Sequence, residues 1–236
     1  MQKDNGILCI IPARGGSKRI PQKNIKNFLG QPMITYPIRS AIDSGIFEEV
    51  MVSTDDLEIK AIAEKAGAIV PFLRSARNSD DNASTMDVLR EVVEVYKERA
   101  REFKYVCCIY PCSPLLTPSK LIEANNLMLL DATEAVIPVL RYGHPIQRAL
   151  KIQCTGGLEM LLRQNANTKS QDLDAFYHDS GQFYFMKTMI ILESNSIWEC
   201  KAVPLVLSEL EAQDIDNEDD WALAELKYLR LKERYE

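Results

Sequence analysis

No window of this 236-residue chain approaches the ~20 consecutive apolar residues of a membrane-spanning helix. The opening MQKDNG and the five-residue run ILCII that follows lack the pattern of a secretory leader, so a soluble, cytoplasmic protein is expected. Six cysteines are present, but none forms a Cys-x-x-Cys pair and no His/Cys cluster has zinc-site spacing. Cys9, Cys107 and Cys108 lie in apolar runs, where a thiol behaves as a small buried hydrophobe; reduced thiols are expected. Histidine is scarce, with only His144 and His178, and neither a Ser–His–Asp nor a Cys–His arrangement is evident. That argues against a covalent enzyme intermediate. Internal repeats and low-complexity tracts are also lacking.

What is present fits one large α/β domain, with 46% hydrophobic and 26% charged residues. The net charge of −6 is uneven: residues 1–40 hold seven Lys/Arg against one Asp, +6, so the remainder carries −12. One basic corner on an acidic chain suggests a small anionic ligand there. Nucleic acid would need a broader basic face and is not expected.

Hydrophobic patterning predicts strands at Ile7–Ile11, Val50–Ser53, Ala68–Phe72, Tyr105–Tyr110 and Ala135–Val139. Between them, helical patterns run over Met33–Ser44 (with Pro37 near its start or kinking it), from an Asp55 cap to Gly67, over Ser84–Arg101 and over Pro118–Leu130. This alternation predicts a mainly parallel sheet with right-handed crossovers. The rhythm breaks over residues 138–182, a polar stretch with Gly156 and Gly157, read as a β-rich excursion and a dimerisation arm. A strand at Gln182–Met186, a helix near Lys187–Glu193 and a strand at Ala202–Leu205 follow. Asn217 caps the last helix, with Glu218, Asp219 and Asp220 at the positive end of its dipole. Its Trp221, Ala224, Tyr228 and Leu231 recur at core spacing.

The strongest chemical signal is IPARGGSKRIPQKN at residues 11–24, just beyond the first strand, where open α/β sheets bind ligands. Gly15 and Gly16 let the backbone approach a phosphate and offer it N–H groups, and Arg14, Lys18, Arg19 and Lys23 supply the charge. The spacing is not that of a Walker A loop, and a solvated basic turn is the plain alternative. A second signal is Gln213-Asp214-Ile215-Asp216. In extended chain Asp214 and Asp216 share a face while Ile215 turns inward, which suits Mg²⁺ held by two carboxylates plus phosphate and water. A polar turn is the alternative there. Arg74 and Ser84 could face a nucleotide, although Ser84 or Asn82 could simply cap a helix. His178, beside Asp179 in YHDSGQFY, is a possible substrate contact.

Taken together, residues 11–24, Arg74 to Ser84, Tyr110-Pro111-Cys112-Ser113-Pro114-Leu115 and Gln213 to Asp216 resemble, in order, the CMP-sialic acid synthetases and their relatives that activate other acidic sugars. The resemblance covers nearly the whole chain. It implies a Rossmann-like nucleotidyltransferase fold, a homodimer with an arm reaching the partner's site, and CTP, Mg²⁺ and a nine-carbon acidic sugar as ligands. Arg14, Gly15, Gly16, Ser17, Lys18, Lys23, Asn24, Arg74 and Ser84 would hold the nucleotide, and Asp214 and Asp216 the metal. Tyr110, Arg148, His178 and Gln182 would meet the sugar. Arg14, Lys18 and Asp214 would carry the catalysis. Tyr110 and Leu116 stand where sialic acid enzymes usually have Gln and Arg. With residues 144–150, 170–173 and 177–184, they point to pseudaminic acid as the sugar, with sialic or legionaminic acid as alternatives. A cell-surface glycan or flagellin would then receive the sugar. Two other readings remain: a glycosyltransferase sharing the Asp-x-Asp logic, and a non-catalytic nucleotide-binding regulator.

Overall fold

A computed structural model describes residues 6–80 and 83–235. The chain runs β1 (Ile7–Pro12), β2 (Asn27–Phe28), β3 (Gln31–Pro32), α1 (Thr35–Ser44), β4 (Glu49–Ser53), α2 (Leu57–Lys65), α3 (Thr85–Glu98), β5 (Tyr105–Ile109), α4 (Pro118–Met128) and β6 (Ala135–Arg141). There follow β7 (Leu150–Ile152), β8 (Leu158–Met160), β9 (Tyr177–Asp179), β10 (Phe183–Lys187), α5 (Thr188–Glu193), β11 (Ala202–Leu207) and α6 (Glu218–Tyr235).

The central sheet has the order β11-β6-β10-β5-β1-β4, with β9 also pairing β6. β1 is parallel to β4 and β5, and β6 to β11, whereas β10 lies antiparallel between β5 and β6. Period-two alternation in β1 explains the two-sided core. Ile7, Cys9 and Ile11 face the layer containing α1, α2 and α4, while Leu8 and Ile10 face α3 and α5. A third, smaller cluster joins Ile20 and Phe28 to Ile215 and Trp221 of the C-terminal region. It fixes the basic loop against α6. Three aromatic rings pack edge-to-face on Phe28 within 5.2–5.8 Å.

Several local expectations are met. Ser84 caps α3 in a reciprocal box with Asp87, and Asn217 accepts the Asp220 amide at 2.9 Å. Asn82 lies outside the described residues. Others are corrected. Asp56, not Asp55, caps α2, accepting from the Glu58 and Ile59 amides. The Ala68–Phe72 strand shrinks to one bridge between Met51 and Ile69, because Pro71 has no N–H to extend the ladder. Pro37 sits in the first turn of α1, where no kink is required. α3 ends at Glu98 rather than Arg101, with Ala100 in the left-handed region.

Within 138–182, β6 extends to Arg141 and its last three residues pair with β9. The part that leaves the sheet is therefore 142–176. It carries the β7–β8 hairpin, on which Leu150, Ile152 and Leu158 are all exposed.

Candidate functional site

The site forms beyond the carboxyl ends of β1, β4 and β5. There the chain is tied together by Ala13 N–H to Ser53 O (2.9 Å), Arg74 N–H to Thr54 O (2.8 Å) and Tyr110 N–H to Gln182 O (2.8 Å). The basic loop after β1 is built rather than free. Asn24 is buried and its amide nitrogen donates to Arg14 O at 2.9 Å. The Gly15 amide donates to Asp55 Oδ1 at 3.1 Å. So one of the two glycine N–H groups expected to meet phosphate is already engaged by a carboxylate. Gly15 is needed for a different reason: a Cβ there would sit 2.6 Å from Asp56 Oδ2.

The QDID segment faces this loop. Ile215 is buried with Trp221 and Phe28, which turns Asp214 and Asp216 the other way, as extended geometry requires. Arg19 Nη1 lies 2.5 Å from Asp216 Oδ2, and Lys23 Nζ donates to Ile215 O with Asp216 Oδ1 3.9 Å away. Burial, together with the neighbouring Asp216, raises the Asp214 carboxyl above its ordinary range, while Lys23 and Arg19 pull it down. The segment's position is set from behind by Gln182 Nε2 donating to Glu211 O and Lys227 Nζ donating to Ala212 O (2.9 Å). Gly181, at φ +66°, lets the chain pass close to Asp214.

Loop and acids enclose a cleft of about 660 Å³. Of the predicted residues it brings together Arg14, Ser17, Lys18, Lys23, Asn24, Tyr110, Asp214 and Asp216. An adjoining hollow of about 230 Å³ shares Arg14 and Tyr110 and adds Arg74 and Ser84. Arg74 is buried, its Nε donating to Ser53 Oγ at 3.0 Å and its Nη2 to Ser53 O; burial draws its pKa down. Gly15 and Gly16 belong to the loop but do not line either hollow.

Three of the four predicted sugar contacts lie elsewhere within the protomer. Arg148 sits on the single turn Ile146–Arg148 and bonds Ser170 Oγ at 3.3 Å. His178 Nδ1 is 2.8 Å from Asp179 O, its ring against Tyr142. Gln182 is buried and engaged with Glu211. Their neighbours Asp179 and Tyr184, and Cys112, line the cleft instead. For Asp179 and Tyr184 the signal was available in the 177–184 motif, but a one-residue choice of face decides which side chains enter the cleft. Burial holds the Cys112 thiol near a pKa of about 12, so it is a packing group there. Among the described residues, no three His, Cys, Asp or Glu side chains gather to hold a metal.

Residues 8–218 match the family model described as "Cytidylyltransferase". The chain is 39% identical over 221 residues to the pseudaminic acid cytidylyltransferase of Campylobacter jejuni, covering 94% of this chain and 95% of that one. It is 30% identical to the CMP-N,N'-diacetyllegionaminic acid synthase of Legionella pneumophila, covering 93% and 94%. Among solved structures, the fold is similar to a CMP:2-keto-3-deoxy-manno-octonic acid synthetase complexed with CTP, with TM-score 0.69, 16% identity and 96% and 99% coverage.

Proposed function

This chain belongs to the cytidylyltransferase family and is a nucleotidyltransferase; from that premise we propose that it converts CTP and pseudaminic acid to CMP-pseudaminic acid and pyrophosphate. One observation carries the reading. The basic loop and the Asp214–Asp216 pair face each other across a single cleft large enough for a nucleotide and a sugar. The strong similarity to the Campylobacter enzyme, over nearly the full length of both chains, supports the choice of sugar.

In this reading the anomeric hydroxyl attacks the α-phosphorus of CTP and pyrophosphate leaves. Such a transfer needs positioning and charge neutralisation more than covalent chemistry. Arg14 and Lys18 offset charge on the departing pyrophosphate. Ser17, Lys23 and Asn24 shape the loop around the nucleotide, with Arg74 and Ser84 in the adjoining hollow. Asp214 and Asp216 fit Mg²⁺: two carboxylates share one side of the cleft, and burial, with Asp216 adding to it, raises the Asp214 carboxyl, a cost that a cation would relieve. When bound, the ion polarises the phosphate and lowers the pKa of the attacking hydroxyl. Arg19 and Lys23 stand in for part of that charge at Asp216.

The protein would act as a homodimer through the 142–176 arm, whose Leu150, Ile152 and Leu158 are otherwise apolar surface in water. An arm in the partner's site would also bring Arg148 to a sugar that the protomer alone keeps it from. Among the described residues no helix is long and apolar enough to cross a membrane, and the buried free cysteines suit the reducing cytoplasm. The test is pyrophosphate release with CTP and Mg²⁺ in parallel wells of pseudaminic, N-acetylneuraminic and legionaminic acids. Release with pseudaminic acid at the highest kcat/KM is expected. Preference for either other sugar overturns the choice of sugar, and silence with all three overturns the reaction.

A further inference from the structure

The cleft is lined by the cations Arg14, Lys18, Arg19 and Lys23, by the Asp214–Asp216 pair, and by Asp179 with the phenols of Tyr110 and Tyr184. Asp179 is held in place by two neutral donors: the Gly181 amide at 2.9 Å on Oδ1 and the Tyr184 hydroxyl on Oδ2. Neither of these donors is charged. A carboxylate has about four lone-pair positions, so roughly two remain for donors that enter from the cleft. Around it, Tyr110 and Tyr184 pack edge-to-face at 5.7 Å, and Thr85 Oγ1 lies 2.9 Å from the Tyr110 hydroxyl. Burial raises Tyr110 to about 12, so this phenol stays a neutral donor at physiological pH.

Triphosphate and sugar carboxylate are both drawn to the cations and repelled by Asp179. What suits Asp179 is a neutral group rich in hydrogen-bond donors. We propose that Asp179, oriented by Tyr184 and Gly181, is a sugar-recognising residue that accepts hydrogen bonds from hydroxyl or acylamino N–H groups on the side of the acidic sugar away from its carboxylate. This rests on the cytidylyltransfer reading and adds to it a selectivity element. A half-buried acceptor positioned in this way discriminates by leaving itself unpaired when the wrong sugar binds. It also gives β9, which carries Asp179, and β10, which carries Tyr184, a role in substrate choice.

The test measures initial rates of pyrophosphate release by wild type, Asp179→Asn and Tyr184→Phe, varying sugar and CTP in turn, with CTP affinity also read by calorimetry without sugar. Asp179→Asn is expected to raise KM for pseudaminic acid about tenfold or more while CTP affinity stays within about twofold, a loss typical of an unmet hydrogen bond at a specificity site. Tyr184→Phe, which loosens the carboxylate but leaves it present, should raise the same constant by a smaller factor. An unchanged sugar KM in Asp179→Asn overturns the proposal. So does a rise of sugar and CTP constants together, the mark of a merely structural role. If Asp179→Asn does not fold, the same split in Tyr184→Phe decides. Absence of turnover by the wild type with every nine-carbon acid refutes the cytidylyltransfer reading itself, and this proposal with it.

Discussion

Replacing Gly15 with alanine tests whether the basic loop is held by its fit to the start of α2. The new Cβ would lie 2.6 Å from Asp56 Oδ2, 3.1 Å from its Cβ and 3.3 Å from its Cγ. Asp56 cannot yield freely, because its Oδ1 caps α2 through the Glu58 and Ile59 amides at 2.8 and 3.1 Å. Either the cap breaks or the loop shifts. Loss of a carboxylate cap costs about 1 kcal/mol, within a range of roughly 0.5–2. For a domain of this size that lowers Tm by roughly 2–4 °C per kcal/mol. If the loop yields instead, Tm holds but the Gly15 bond to Asp55 stretches and CTP affinity falls. Gly16→Ala is the control, since nothing lies within 4 Å of its added Cβ. Thermal melts and CTP titrations on both variants, plus Asp56→Ala and the double mutant Gly15→Ala/Asp56→Ala, complete the cycle. With the clash relieved, the double mutant should lose less than the sum of the singles. Gly15→Ala matching wild type in both Tm and CTP affinity would refute the close-packing argument.

Asp214→Asn should abolish most turnover yet melt no lower than wild type. A carboxyl raised by burial favours the fold only below the ordinary carboxylate range, and that contribution disappears as pH rises through its folded pKa, so at neutral pH its charge is a cost. Full activity in this variant, or a Tm well below wild type at pH 7, would contradict the assignment. Arg74→Lys should destabilise by about 1–3 kcal/mol in denaturant titration, because an ammonium cannot reproduce the guanidinium's paired bonds to Ser53 Oγ and Ser53 O. Wild-type stability would show that these bonds contribute little. Ile152→Asp, on the exposed hairpin, should shift the proposed homodimer to monomer in sedimentation while leaving the far-UV circular dichroism intact. A variant that sediments as wild type would remove the hairpin from the proposed interface.

Much of the basic-loop wall of the cleft was legible because its signals are local. The ILCII run makes β1, the charges of residues 14–23 follow directly, and Ser84 and Asn217 cap the helices they precede. Ile215 between two aspartates specifies its own inward turn. The wall formed by β9 and β10 was less legible because its geometry depends on distant partners. An apolar run marks Phe183–Lys187 as a strand but carries no direction, and its antiparallel course is set by pairing with β5 and β6. Gln182 meets a carbonyl 29 residues away, so its sequence neighbours give no hint that it is engaged. Asp55 and Asp56 are chemically equivalent in sequence. Only the approach of Gly15 assigns one to the loop and the other to the helix.

The reversed strand has a consequence for how such an enzyme can diversify. Because β9 and then β10 follow the 142–176 excursion, the wall bearing Asp179 and Tyr184 is encoded more than 150 residues after the wall bearing Arg14 and Lys18. The two meet through the β5–β10 ladder and Tyr110 N–H to Gln182 O, and through side chains as well: Tyr184 packs on Tyr110, and Phe183 and Phe185 sit in the core. On the proposed reading, exchanges confined to the cleft-facing positions of β9 and β10 retune which acid is accepted while the basic loop stays as it is. Lineages that make different surface sugars could in this way inherit one nucleotide grip and rewrite only the opposite bank.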